Sequence, residues 1–177
     1  MTTTTCGWPR TIRRYLLATL ALHLVWEIVQ LPLYTIWTTD PLSRQAFAVL
    51  HCTIGDAMIA SLSLLIALAL VGPANWPVGG TIRVWMLTLA LGVCYTFYSE
   101  WLNVNVRGNW AYSDLMPKLP LGGIGVSPLL QWLVVPTLVL WFTLGRPPWI
   151  EPGPATPSDS QSQAGVKGGQ WRYRCQK

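Results

Sequence analysis

The stretch YLLATLALHLVWEIVQLPLYTIW, residues 15–37, decides the fold. It is long and apolar enough to cross a bilayer, which takes roughly 20 residues of helix. Yet it carries His23, Glu27, Gln30 and Tyr34 at i, i+4, i+7 and i+11. On a helix these four fall within about 60° of one another. A polar stripe on an apolar helix must face protein or a water-filled cavity, because lipid would leave it unsatisfied. Arg10, Arg13 and Arg14 precede the stretch, as they would a signal peptide. It runs on past residue 30 with no A-x-A cleavage pattern, so it reads as a retained helix.

Three further stretches reach spanning length: 45–71, 84–103 and 126–145. Asp40-Pro41, Gly72-Pro73 and Gly79-Gly80 punctuate the connections. The expected fold is all-α, an integral membrane four-helix bundle over 15–145. Residues 1–14 form a short leading segment, and 146–177 form a tail. Hydrophobic types make up 51% of the 177 residues and charged types 11%, against roughly 25% charged in soluble domains. So little charge cannot cover a soluble surface, which excludes an ordinary soluble enzyme. The tail is dominated by Pro, Gly, Ser and Gln and is expected to be disordered. Cys52 and Cys94 fall inside spans and no CxxC occurs, so no disulfide framework is expected.

The cations are distributed unevenly. Arg10, Arg13, Arg14, Arg83, Arg146, Lys167, Arg172, Arg174 and Lys177 lie on one side of the spans, and Arg44, Arg107 and Lys118 on the other. The positive-inside rule then places both termini in the cytoplasm, in a multi-pass protein of the cell (inner) membrane. The lipid bilayer is the expected partner, a larger membrane subunit is an alternative one, and no nucleic acid is expected. Trp8, Trp37, Trp76, Trp85, Trp101, Trp110 and Trp149 fall at span ends, as an interfacial belt would. Trp26, Trp132 and Trp141 lie within spans and need another role.

On the second span, HCTIGD sets His51 and Asp56 about 140° apart. Ala48, Cys52 and Gly55 occupy the arc between them, where small residues let a neighbouring helix approach. Counted by helix rise from the outer ends, Glu27 and Asp56 lie about 15 Å deep, Gln30 and His51 about 10 Å, and Gln131 about 8 Å. Glu100 sits near the outer end of the third span, followed by Asn103 and Asn105. The loop NVNVRGNWAYSDLMPKLPLGGIG carries Arg107, Trp110, Tyr112 and Asp114, and it is long enough to serve as a lid or binding loop.

Ionisable groups inside a membrane mark function or a packed polar core. The structural readings are a Glu100 that is merely solvated or paired with Arg107, and a His51 and Asp56 that only join helices. Three chemistries compete with them. The first binds or converts a lipid-like substrate, such as an isoprenoid, by acid–base chemistry. Glu27, Asp56, His51 and Glu100 would be its acids and bases. His23, Trp26, Gln30, Tyr34, Asn103, Trp110, Gln131 and Trp132 would hold the substrate, with indole faces steadying positive charge. In the second, His23, Glu27, His51 and Asp56, with Glu100, hold Zn or Fe, although no HExxH pattern is present. In the third, the cluster is a proton or small-solute pathway, or the chain is a non-catalytic subunit. The residues name no cofactor.

Glu27, Asp56 after Gly55, Glu100 in YSEW, and Trp132 followed by Pro136 resemble, in order, the sterol-isomerase/emopamil-binding (EXPERA) family. The matches are short and scattered. The resemblance implies a small helical membrane bundle in which acidic residues near helix ends line a lipid-facing cavity. The segment from Glu100 to Pro128 is also similar to carotenoid hydratases, which implies chemistry at an isoprenoid double bond.

The topology has a direct test. In a background without the native cysteines, single cysteines at 40 and 160 should react with impermeant label from opposite sides, with 160 cytoplasmic. Labelling of both from one side refutes the four-span arrangement.

Overall fold

The computed structural model describes residues 8–72, 76, 80–120, 122–145 and 147–150. Four helices dominate: α1 Trp8–Gln30, α2 Leu42–Val71, α3 Thr81–Glu100 and α4 Val126–Leu144. Each is long and apolar enough to cross a membrane. The fold is the all-α four-helix bundle that the hydrophobic pattern implies.

Each helix packs on its neighbours in sequence, and α1 closes the ring on α4. Neighbours run antiparallel: Tyr15 reaches Ala60 from α1 to α2, Ser127 reaches Gln30 from α4 to α1, and Trp85 reaches Thr137 from α3 to α4. One end, the terminal end, holds the start of α1 and the connection between α2 and α3. The other, the loop end, holds residues 31–41 and 101–125.

The two halves differ in kind. Tyr15, Leu64, Ala67, Leu68, Trp76, Val84, Val135, Val139 and Leu140 form an apolar core in the terminal half. Val29, Leu50, Leu62, Leu70 and Phe142 point outward and are more than half exposed. Lipid is as apolar as these side chains, so burial alone gives little drive to associate, and close packing with internal hydrogen bonds must hold the helices together.

Several boundaries differ from the sequence expectation. α1 begins at Trp8, so residues 8–14 belong to the helix and not to a separate segment. It ends at Gln30 and not at Trp37, because Pro32 has no N–H to continue the ladder. The chain passes through a tight turn, Leu31–Leu33, and a single helical turn, Ile36–Thr39. Tyr34 therefore leaves the α1 stripe. α2 starts earlier than expected, at Leu42. α3 runs three residues earlier than its expected span at each end and continues as a wider π-helical turn, Trp101–Val106. Trp76 is 3% exposed and sits in the core, not in an interfacial belt. The tail from 151 onward lies outside the described residues.

The loop end is pinned. Thr35 N–H donates to Ala111 O at 3.0 Å and Ser113 N–H to Leu33 O at 2.9 Å, so Tyr34 and Tyr112 pair like strand residues. Ser113 Oγ adds a bond to Pro32 O at 3.0 Å. The long loop is thereby fastened to the α1–α2 connection.

Gly92 sets the distance between α3 and α4. A Cβ built there would fall inside the Trp132 ring, which is 1% exposed and has no room to yield. Gly92→Ala should lower stability by about 1–3 kcal/mol, as overpacking does, measured by thermal unfolding in detergent. Trp132→Leu in the same chain should recover part of that loss, because the two positions share one space. Equal stability of Gly92→Ala and wild type refutes the contact.

Candidate functional site

In the loop half, α1, α2 and α4 bring polar side chains to one point. Gln131 of α4 is 2% exposed. Its Nε2 lies 3.0 Å from Glu27 Oε1, 2.9 Å from Asp56 Oδ2 and 3.0 Å from His23 Nδ1. His23 Nδ1 is also 3.3 Å from Asp56 Oδ2. Gln30 Nε2 donates to Glu27 Oε1 at 2.8 Å and approaches Gln131 Oε1 at 3.4 Å. Gln30 Oε1 in turn accepts from Ser127 Oγ at 2.9 Å and from Trp26 Nε1 at 3.2 Å. Helical spacing accounts for the α1 members: residues three and four apart share a face. Matched depth on antiparallel helices accounts for Asp56 beside Glu27, and Gln131 reaches both with its amide.

A second group forms at the end of α3. Glu100 Oε2 accepts from the Tyr112 hydroxyl and from Trp110 Nε1. Burial, and then donation to Glu100, hold the Tyr112 phenol above its ordinary pKa. Burial and the nearby Glu100 carboxyl do the same to Tyr34. Both therefore remain neutral O–H groups at any physiological pH. Their rings lie 5.5 Å apart. Glu100 is 7% exposed, and among the described residues Arg107 forms no ion pair with it, so neither structural alternative, solvation or pairing with Arg107, describes it; its partners are Tyr112 and Trp110.

One cavity of about 1150 Å³ touches both groups. Glu27, Gln30, Asp56, Gln131 and Trp132 form its floor, and Tyr34, Glu100, Asn103 and Trp110 line it nearer the loop end. Phe47 and Tyr95 flank it from α2 and α3 and are 68% and 50% exposed. Both rings thus stand at the outer edge of the cavity, where α2 and α3 border it. Arg44 and Arg107 stand at its loop-end mouth. Arg44 lies 3.6 Å from Asp40, an exposed pair that contributes little.

Three expectations need correction. His51 lines the cavity but is exposed and stacks on Phe47 at 5.7 Å, so it is not part of the buried network. Trp26 and His23, both expected to hold the substrate, do not line the cavity: Trp26 turns its indole N–H to Gln30, and His23 is fully buried against Gln131 and Trp132. Ala48, Cys52 and Gly55 admit no neighbouring helix: a Cβ on Gly55 would meet nothing within 4 Å, and all three face the cavity. Their smallness makes space there.

The metal arrangement is not assembled. Among the described residues no group of three or more His, Cys, Asp or Glu is placed to hold a metal ion. An amide N–H, a poor neighbour for a cation, stands between Glu27, Asp56 and His23. Sequence reasoning missed Tyr112 and Ser127 as partners of the site. Tyr112 carries no spacing signal, because it arrives from a loop. Ser127 is one turn before Gln131, a spacing that could have flagged it.

The chain matches no family model, no curated protein and no solved structure.

The network depends on one amide. Gln131→Leu keeps the approximate shape but removes the two N–H bonds that this amide shares among Glu27, Asp56 and His23. It should destabilise the bundle by about 1–3 kcal/mol or more, the penalty for unsatisfied buried polar groups, read by chemical or thermal unfolding. A neutral result means the three groups are solvated from the cavity.

Proposed function

We propose that this protein binds a lipid-like substrate inside the membrane and converts it by acid–base chemistry. The observation that carries the reading is a single cavity joining an aromatic flank open to lipid with a floor of two hydrogen-bonded carboxyls. Its volume suits a drug-sized or isoprenoid-sized ligand. Glu27 and Asp56 are the groups that give and take protons. Gln30 and Gln131 hold them in place. Glu100, with Tyr112, offers a second acidic group on the other wall. His51 and Phe47 meet the substrate at the rim.

An isoprenoid double bond fits this chemistry. A proton added to one alkene carbon leaves a cation on the other, which the Trp132 face would steady. Loss of a neighbouring proton completes an isomerisation, and capture of water completes a hydration. The resemblance to sterol isomerases and carotenoid hydratases agrees with either. By the same reading the protein lies in the cell inner membrane with both termini cytoplasmic, and the cavity belongs to the outer half.

The test is lipid extraction from purified protein followed by mass spectrometry. Wild type should retain an apolar lipid or its product. Glu27→Gln and Asp56→Asn should each insert and fold, retain substrate, and lose conversion by about 10²–10⁴-fold, the usual contribution of general acid–base groups. The double variant should be little worse than either single one, since groups acting as a unit are non-additive. A protein that retains no lipid, or variants that convert it normally, would end this reading.

A further inference from the structure

The mouth and the floor of the cavity carry opposite chemistry. The loop end has three cations, Arg44, Arg107 and Lys118. Lys118 sits over the Tyr112 ring, 5.9 Å from its centroid. The other two line the cavity, Arg44 from the start of α2 and Arg107 from just past the wide turn that follows α3. A cation that served only as an interfacial anchor would turn outward to the surrounding lipid heads. These two border the cavity instead.

Both have donors to spare. Among the described residues Arg107 forms no ion pair. Arg44 is paired only with Asp40, at 3.6 Å and with its own side chain 72% exposed. Such a pair is weak and leaves most of the five N–H groups of a guanidinium unused. The Ser43 hydroxyl lines the mouth beside Arg44. The floor offers the reverse. Glu27 and Asp56 present carboxyl oxygens, and the amide hydrogens of Gln30 and Gln131 are already committed around them. An anionic group is drawn to the mouth and has no place at the floor.

Depth separates the two ends. Asp56 follows Arg44 by twelve residues on one helix, which is about 18 Å of rise. Side chains on a helix lean toward its N-terminus, so both lean the same way and the separation is kept. Between them Ala48, Cys52 and Gly55 face the cavity and leave room for a chain. The head itself has a chemistry. One guanidinium satisfies the two oxygens of a carboxylate, whereas a phosphate presents three acceptor oxygens, enough for guanidinium forks from two directions.

We infer that the cavity takes an amphiphile with a phosphate head, held at the mouth by Arg44 and Arg107, with its chain descending along α2 to the floor. Naming that amphiphile as the substrate rests on the acid–base reading, whereas the phosphate site itself does not. As substrate it is a long-chain isoprenyl phosphate. Its reacting double bond lies well down the chain, because the acids are about 18 Å below the head by the same rise. The double bond next to the phosphate stays out of their reach. Asp40 tempers the charge of the mouth and competes with the head for Arg44.

Geranylgeranyl phosphate and geranylgeraniol share one chain and differ only in the head, so together they test the site. The full chain is immobilised in maltoside micelles, which contain no phosphate, and binding of radiolabelled geranylgeranyl phosphate is read by scintillation proximity. Unlabelled geranylgeranyl phosphate should displace the label at least about tenfold better than geranylgeraniol, as charge-assisted bonds imply. Arg44→Gln and Arg107→Gln should each weaken the phosphate about tenfold and leave the alcohol unchanged. Asp40→Asn should tighten the phosphate about twofold or more, since it removes a competing carboxylate. Arg83→Gln, at the terminal end, should change neither. Both mouth arginines are exposed, so their variants should keep the wild-type thermal unfolding. Equal binding of phosphate and alcohol overturns the proposal, as does a loss in Arg83→Gln equal to that in Arg107→Gln. Inorganic phosphate that displaces the label as well as geranylgeranyl phosphate does means a site for a small anion, and overturns it too. If the arginine variants bind normally while Glu27→Gln and Asp56→Asn lose conversion, the acid–base reading stands without this head. If the phosphate binds as described and Glu27→Gln converts normally, the head site stands and the acid–base reading falls.

Discussion

Three helices of this protein meet on the side-chain amide of Gln131. Its nitrogen lies about hydrogen-bond distance from one atom each of Glu27, Asp56 and His23, and its oxygen faces Gln30. Inside a membrane such an arrangement is nearly all or none. Every polar group there must find a protein or water partner. Low local polarity strengthens a completed network and makes an incomplete one expensive. An apolar residue at 131 would not simply subtract one contact; it would leave acids and an imidazole facing hydrocarbon.

That amide is held in place from the far side of the bundle. Trp132, its neighbour in sequence, fits against α3 only because residue 92 has no side chain. The same ring packs beside His23 at 5.6 Å. A backbone approach between α3 and α4 thus fixes the imidazole on α1, which meets Asp56 on α2. The division of labour between the halves follows. The terminal half packs tightly on apolar residues and sets the helix positions. The loop half forgoes close packing and leaves the cavity.

Much of this was legible before any coordinates. Span number and fold class follow from hydrophobic length alone. The meeting of Glu27 with Asp56 follows from matched depth, which fixed rise per residue sets; Gln131, counted about 7 Å shallower by the same rise, reaches them through its long side chain, which depth alone does not reveal. What escaped depends on non-local or non-helical structure. Pro32 ended α1 early and moved Tyr34 off the stripe, although proline is a visible stop. Gly55 and its small neighbours look the same in sequence whether they admit a helix or leave a space. His51 and Asp56 share a helix, and only the tertiary arrangement puts one at the rim and the other at the floor. Glu100 was visible, yet its partner Tyr112 comes from a loop, where no periodicity constrains contacts.

The pinned loop end bears on how a ligand would enter. Backbone hydrogen bonds fasten residues 33–35 to 111–113, and Tyr112 adds a bond to Glu100 from the same strap. Opening the cavity from above would break all of these together. Between α2 and α3 no such tie is needed, because Ala48, Cys52 and Gly55 give way to space and Phe47 and Tyr95 face outward. An apolar molecule dissolved in the bilayer meets this edge without leaving lipid, whereas a water-soluble one would approach through the strapped end past Arg44 and Arg107. On the proposed reading, then, the ligand already resides in the membrane and would enter beside Phe47 and Tyr95, with any polar head turned toward those two arginines and its tail left in lipid.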